Sequence, residues 1–166
     1  MKIKILIIYA SFAGSTAEVA TAISEILIKR ELSVDIKPIK DNPKVEGYQA
    51  VLIGSAVHHG RLLPETIKFI KSNKNTLASM PVTIFCLHIQ NLLDDEQSRK
   101  NRIAYLDDIR PYIRPVEEVF FAGKFDRRGA ALLLPKWIAR FIPPIDLRKW
   151  KTIRNWALNT DLDILK

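Results

Sequence analysis

Five short apolar runs alternate with amphipathic stretches along the chain. The runs cover residues 3–10, 33–37, 49–54, 81–88 and 117–122. The first, third and fourth are apolar almost throughout, which is typical of strands buried on both faces of a parallel sheet. The second run alternates polar and apolar residues, so we expect it at an edge of the sheet. The pattern therefore predicts five β-strands.

The stretches between these runs have the spacing of helices. Val19, Ile23, Ile26 and Leu27 form an apolar stripe on a helix predicted over 16–29. Further helices are predicted over 64–72, 94–113 and 146–158, while 38–48 is a loop or a short helix. Pro64 suits a helix start and Asp146 suits an N-cap. Alternating strands and helices imply parallel pairing with right-handed crossovers. The sequence thus predicts a single α/β domain over 1–166, with a doubly wound sheet in the order 2-1-3-4-5.

Residues 124–144 are more than a minimal connection to the last helix requires. A short helix is predicted between Pro135 and Pro143. One of its faces is apolar and the other is basic. The apolar face contains Leu134, Trp137, Ile138 and Phe141, and the basic face contains Lys136 and Arg140. We call residues 124–144 the insertion.

The formal net charge of +8 is concentrated near the insertion. Residues 126–156 contain eight cations and two aspartates. Such a surface attracts anionic lipid, nucleic acid or acidic partners. One interpretation is a substrate or membrane contact made by Arg127, Arg128, Lys136, Trp137 and Arg140. In the other, the apolar face covers the core of the domain and the cations form its solvated side.

Composition excludes several classes of site. Cys86 is the only cysteine, it lies in an apolar run, and it is expected to be buried. No Cys/His cluster has the spacing of a metal site, so we predict none. No apolar run approaches the ~20 residues that span a bilayer. The N-terminal run is short and lacks a cleavage site. We therefore expect a cytoplasmic protein with at most peripheral contact with the inner face of the membrane.

The turn after the first strand is the strongest candidate for a binding site. It consists of Ser11, Phe12, Ala13, Gly14, Ser15 and Thr16. Free backbone N–H groups and the helix dipole favour an anion at such a position. The turn contains no lysine or arginine, and neither a P-loop nor a three-glycine Rossmann pattern is present. The alternative is an ordinary turn that caps a helix.

Two further loops are expected at the same edge of the sheet. Ligands of open α/β sheets bind outside the carboxyl ends of the strands, where the strand order reverses. An imidazole after the third strand suits contact with the face of a flat ring, and the amides after the fourth strand suit its polar edge. A solvated loop is the alternative for each. The candidates are Ser55, Ala56, Val57, His58, His59 and Gly60 after the third strand, and His88, Gln90 and Asn91 after the fourth.

The first turn resembles the phosphate loop of flavodoxins, Thr/Ser-x-Thr-Gly-Asn/Ser-Thr. It departs from that pattern at Ala13, where a hydroxyl donor is missing. The resemblance implies FMN as the cofactor. It also implies chemistry carried by the flavin, with no catalytic side chain required.

Among flavodoxin-like families, the chain most resembles the menaquinone-dependent protoporphyrinogen IX dehydrogenases. Residues 54–60 are similar to the stretch that follows the third strand in that family, with His59 replacing a tyrosine. Residues 79–81, 122–123, 146–149 and 156–157 are similar as well, and the family has a basic insertion in the same place. The resemblance implies an oxidoreductase that accepts electrons from a small reduced substrate such as a porphyrinogen. A quinone or a protein would be the electron acceptor.

Two other functions fit the same pattern. A flavodoxin that carries electrons between proteins would have the same fold and loops, although such carriers are usually acidic. A binding module without flavin is the other, given Ala13 and the lack of a Trp/Tyr sandwich in the second loop. Nucleic-acid binding is disfavoured because Trp137, Trp150 and Trp156 lie at helical positions where core packing is the commoner use. The sequence makes no prediction of the oligomeric state.

Overall fold

A computed structural model describes residues 2–161, apart from the side chains at 132 and 133. Its main sheet has five parallel strands in the order β2-β1-β3-β5-β6, and a short β4 pairs antiparallel with the end of β3. The predicted fold class and strand order are confirmed. The strands are β1 (Lys4–Ala10), β2 (Ser33–Pro38), β3 (Ala50–His58), β4 (Arg61–Leu62), β5 (Val82–His88) and β6 (Glu117–Ala122).

Helices follow the strands on both faces of the sheet. They are α1 (Ser15–Lys29), α2 (Pro64–Ser72), α3 (Lys74–Leu77), α4 (Glu96–Ala104), α5 (Arg127–Leu133), α6 (Lys136–Ala139) and α7 (Trp150–Asn159), with a 3₁₀ turn at Ile39–Asp41. The insertion contains α5 and α6. An antiparallel pair, β7 (Lys124–Phe125) and β8 (Ile145–Asp146), closes its base.

Successive residues of β1 point into two separate cores. Leu6 and Ile8 belong to the core that α2 and α3 cover, whereas Ile5 and Ile7 belong to the core that α1 and α7 cover. All four are fully buried. Because side chains alternate across a strand, an unbroken apolar run can fill both cores at once. Because the main strands run parallel, their carboxyl ends meet at one edge of the sheet.

The predicted helix over 94–113 is wrong in its second half. Asp95 caps α4 by accepting a hydrogen bond from the Ser98 N–H (2.8 Å), but the helix ends at Ala104. Residues 105–112 then form a series of turns. In these turns Asp108 accepts two hydrogen bonds of 2.7 Å from the Arg61 guanidinium. Leu106 in these turns is buried, whereas Ile103 on α4 is exposed.

The last helix begins at Trp150, so the predicted N-cap at Asp146 is wrong. Asp146 lies on β8, opposite Lys124 of β7. Its carboxylate accepts hydrogen bonds from the backbone and guanidinium of Arg148. The antiparallel pair at the base of the insertion therefore fixes Asp146 in extended backbone before the helix can start.

Gly54 on β3 is required by the packing of Phe85. A Cβ at this position would lie 2.1 Å from the Phe85 ring, which is fully buried. We expect Gly54→Ala to lower the free energy of unfolding by about 1–3 kcal/mol, the usual cost of overpacking a core. Gly123→Ala is the matched control, because its Cβ would meet nothing closer than 3.4 Å. Urea denaturation measures both variants. Equal stabilities would contradict this packing.

Candidate functional site

A cavity of about 350 Å³ opens at the carboxyl ends of the parallel strands. It lies where the strand order reverses, between the ends of β1 and β3, and extends past β5 to the insertion. This is the usual position of ligands in open α/β sheets. The lining residues are Phe12, Ala13, Ser15, Ala56, Val57, His58, His59, Leu87, His88, Ile89, Gln90, Tyr105, Gly123, Lys124, Phe125 and Gly129.

All three predicted loops reach this cavity. Within them, Ser11, Gly14, Thr16, Ser55, Gly60 and Asn91 are not among the lining residues. The predicted set lacked Leu87 and Ile89 on either side of His88, Tyr105 from the turns after α4, and the four lining residues from 123–129. Long-range packing places these residues. The alternation of Lys124 and Phe125 in a two-residue strand is too short to be recognised as a pattern.

The turn before α1 presents backbone donors to a single point. Gly14 is the N-cap, with φ at +91° and open space where a Cβ would stand. The Ser11 hydroxyl oxygen accepts hydrogen bonds from the N–H groups of Gly14 (2.9 Å) and Thr16 (3.3 Å). An oxygen is thus already held where a helix N-terminus favours an anion.

Thr16 adds an unsatisfied hydroxyl to this turn. Its side chain is fully buried, and Oγ1 has no hydrogen-bond partner among the described residues. Buried hydroxyls are normally paired, because an unpaired one costs about 1–3 kcal/mol. The orphaned hydroxyl and the open space beside Gly14 together fit an oxyanion ligand at the start of α1.

The second predicted loop is largely strand. β3 continues to His58, and His59 and Gly60, with φ of 50° and 73°, form a tight turn into β4. Ser55 is fully buried and accepts hydrogen bonds from the Leu63 N–H (3.2 Å) and the Thr66 hydroxyl (3.0 Å). The structure therefore gives Ser55 a structural role, joining β3 to α2, in place of the predicted ligand contact.

Asn91 is likewise used within the protein. Its amide nitrogen donates to the Tyr105 hydroxyl (2.6 Å), and its amide oxygen accepts from Asn101 (2.9 Å). The Arg102 guanidinium donates to its backbone carbonyl. These bonds fix the loop after β5 on α4, so Asn91 positions its neighbour Gln90 at the cavity and does not line it.

The three histidines of the chain all line the cavity. The His58 ring lies 5.7 Å from the Phe12 ring, and burial together with the neighbouring His59 lowers the pKa of His58. His88 is 4% exposed, and burial lowers its pKa as well. Its Nδ1–H donates to the Gln90 carbonyl, which can only accept, so Nε2 is left as an acceptor. Within the part of the chain that is described, no group of side chains has the arrangement of a metal site.

The insertion carries exposed aromatic side chains beside the cavity. Trp137 is 66% exposed and Phe141 is 70% exposed, so these two do not cover the core. Among the side chains of the insertion that the structure describes, those of Ala130 and Ala139 are buried. The predicted cations Arg127, Arg128, Lys136 and Arg140 are all exposed. No helix within residues 2–161 is long and apolar enough to cross a membrane.

Known proteins with similar sequences point to one family. The family model described as "Flavodoxin domain" matches residues 6–133. Protoporphyrinogen IX dehydrogenase [quinone] of Escherichia coli strain K12 is 25% identical over 88 residues, which cover 52% of this chain and 49% of that protein. The protein of Escherichia coli O157:H7 has the same identity and coverage. The match thus spans about half the length of these curated relatives.

Solved structures show the same fold. A flavodoxin from the domain Archaea has a TM-score of 0.59 at 14% identity, covering 99% of this chain and 100% of that one. Oxidised flavodoxin 1 from Bacillus cereus has a TM-score of 0.52 at 17% identity, covering 84% and 99%. Fusobacterium nucleatum flavodoxin bound to flavin mononucleotide has a TM-score of 0.51 at 19% identity, covering 72% and 69%.

Thr16→Val tests whether the Thr16 hydroxyl is unsatisfied without ligand. Valine has nearly the same shape, so we expect the ligand-free variant to gain about 1 kcal/mol in free energy of unfolding. Thr66→Val is the matched control. Thr66 is also fully buried in the first turn of a helix, but its hydroxyl donates a hydrogen bond to Ser55. Removing this hydroxyl should lower the free energy of unfolding by about 1 kcal/mol. Destabilisation by both variants to the same extent would contradict the assignment.

Proposed function

Because the chain belongs to the flavodoxin domain family, we propose that its cavity binds flavin mononucleotide. The observation that carries this proposal is the turn before α1. Its backbone N–H groups already hold the Ser11 oxygen, and the buried Thr16 hydroxyl lacks a partner. A phosphate there would accept from both kinds of donor without a side-chain cation. Ala13 has no hydroxyl group, so it can contribute only its backbone to the binding of this phosphate.

The remaining lining residues suit the ring of this cofactor. Phe12 and His58 would contact its flat faces, while Gln90 and the neutral imidazole of His88 would face its polar edge. Bound FMN supplies the transfer of a hydride or of single electrons, so the protein needs no nucleophile. The described residues instead position the cofactor and exclude water from it.

We further propose that the protein is an oxidoreductase similar to protoporphyrinogen IX dehydrogenase. Electrons would pass from a reduced small molecule, such as a porphyrinogen, to a quinone or another acceptor. The insertion supports this proposal, because residues 123–125 and Gly129 form one wall of the cavity, where a substrate would lie beside the cofactor. An electron carrier between proteins needs no such wall, and the net charge of +8 also disfavours it.

Anaerobic bleaching of the visible FMN band by protoporphyrinogen IX, followed by recovery with a menaquinone analogue, would support the enzyme. Turnover only with a partner reductase would favour the carrier.

The exposed side of the insertion suits contact with a membrane surface. Trp137 projects from α6, which also carries Lys136, and Arg140 and Phe141 follow in the turn at the end of that helix. Aromatic side chains flanked by cations bind the interface of anionic bilayers. We propose that this surface brings the cavity close to a quinone dissolved in lipid.

Gly14→Glu tests the phosphate position. The substitution adds bulk and negative charge where the phosphate would bind, so we expect FMN binding to be abolished in a titration that follows quenching of flavin fluorescence. Gly47→Glu is the matched control, because Gly47 also has positive φ and open space but lies away from the cavity. Wild-type affinity in Gly14→Glu would contradict the assignment.

Replacing both Trp137 and Phe141 with glutamine tests the membrane contact. We expect at least tenfold weaker binding to anionic phospholipid vesicles in a sedimentation assay, since each ring buries substantial apolar area. FMN affinity should be unchanged. Ile28→Gln with Leu158→Gln is the control, because these side chains are also exposed but lie on α1 and α7. Equal vesicle binding by the two double variants would refute the proposal.

A further inference from the structure

The cavity has an unusual balance of charges. None of the described residues that line it is an aspartate or a glutamate. The ionisable lining residues are three histidines, Tyr105 and Lys124. Lys124 is the one among them with a permanent positive charge at neutral pH. A cavity whose described lining has one permanent cation and no carboxylate attracts anions, because low-dielectric walls focus the field within it.

Lys124 would be expected to pair with Asp146. The two residues lie opposite each other in the β7–β8 pair. Arg148, however, occupies both oxygens of that carboxylate, at 2.8 Å from Nε to Oδ1 and 2.7 Å from Nη2 to Oδ2, and its backbone N–H donates to Oδ1 as well. Within the described residues, no carboxylate lies within 4 Å of the Lys124 ammonium group.

Arg148 is itself held in place from several sides. Its side chain is only 3% exposed. The guanidinium also donates to Glu18 in the first turn of α1 and lies 4.5 Å from the centre of the Trp150 ring. A planar guanidinium binds a carboxylate through two parallel hydrogen bonds, a geometry that an ammonium cannot match. Lys124 still attracts the Asp146 carboxylate, and besides the hydrogen bonds from Arg148 its positive charge helps to lower the Asp146 pKa, but the two residues form no ion pair.

We propose that Lys124 binds a carboxylate of the second ligand, the reduced substrate, and so selects an anionic substrate. Arg148 is a positioning residue in this arrangement, because it holds the Asp146 carboxylate out of direct contact with Lys124. The turn before α1 already offers donors to the FMN phosphate, which leaves Lys124 for a different anion. This inference rests on the proposed function only in naming that ligand as the substrate. The charge of the cavity is independent of the cofactor.

A pair of probes that differ in charge tests the role of Lys124. 2-Naphthoate and its neutral amide have nearly the same shape, and their binding to the FMN-loaded protein can be followed by the perturbed flavin absorbance. We expect naphthoate to bind at least about tenfold more tightly than the amide, as one hydrogen bond to a charged group provides. Lys124→Met should abolish this preference, and any loss of FMN affinity should be much smaller than the loss of naphthoate affinity. Lys151→Met, which removes an exposed cation from α7, should preserve it.

Two outcomes would overturn the proposal. The first is no preference for naphthoate in the wild-type protein, or a preference that survives Lys124→Met. The second is a loss of FMN affinity in Lys124→Met as large as the loss of naphthoate affinity, which would assign Lys124 to the cofactor phosphate. If the wild-type protein fails to bind FMN, the proposed function fails. The charge preference is then measured on the same protein through the fluorescence anisotropy of the probe.

Arg148→Met tests the positioning role, because methionine keeps an apolar stem against Trp150 while freeing Asp146. We expect the freed carboxylate to pair with Lys124 and to remove most of the preference for naphthoate, although Arg148 does not line the cavity. Adding Asp146→Asn to this variant should restore the preference. A merely structural role for Arg148 predicts no restoration, and that result would overturn this part of the proposal.

Discussion

Burial of β1 on both faces is the constraint on which the rest of the structure depends. Each successive residue of this strand enters a different core, so helices must cover both faces of the sheet. Parallel pairing with β2 and β3 follows, and the ends of the strands then meet at one edge. The first chain segment to leave that edge is the turn before α1. Because β1 is buried and paired on both sides, its register is fixed. The turn that follows it therefore presents its backbone N–H groups at the mouth of the cavity.

The cavity combines the ends of the parallel strands with one wall that the insertion provides. The ends of β1, β3 and β5 belong to the shared fold and provide the backbone donors, the aromatic face of Phe12 and the imidazoles. The insertion provides a fourth wall with a cationic side chain, and its outer surface exposes Trp137 and Phe141. Ion pairs of Arg148 with Asp146 and Glu18 tie the base of this insertion to α1. The insertion thus forms both a wall of the cavity and an exposed aromatic surface of the protein.

Elements defined by long apolar patterns could be predicted from the sequence, whereas those defined by tertiary contacts could not. The strands around Ile7 and Ile84 and the stripe on α1 depend on local periodicity and were predicted to within a few residues. The end of α4 depends on turns held by the contact between Arg61 and Asp108, and the start of α7 depends on a two-residue strand at Asp146. Neither of these contacts produces a periodic pattern of apolar residues in the nearby sequence, so neither could be predicted from it. In the candidate site, the positions of the loops could be predicted, but the hydrogen bonds that occupy Ser55 and Asn91 could not.

If the start of α1 binds the phosphate of FMN, that phosphate should contribute much of the affinity for the cofactor. The most direct test compares the dissociation constants of FMN and riboflavin, which lacks that phosphate, on the same protein by quenching of flavin fluorescence. We expect riboflavin to bind at least about 100-fold more weakly than FMN, because two or more charge-assisted hydrogen bonds to the phosphate are lost. Equal affinities for the two flavins would contradict it, since the turn would then contribute nothing to recognition.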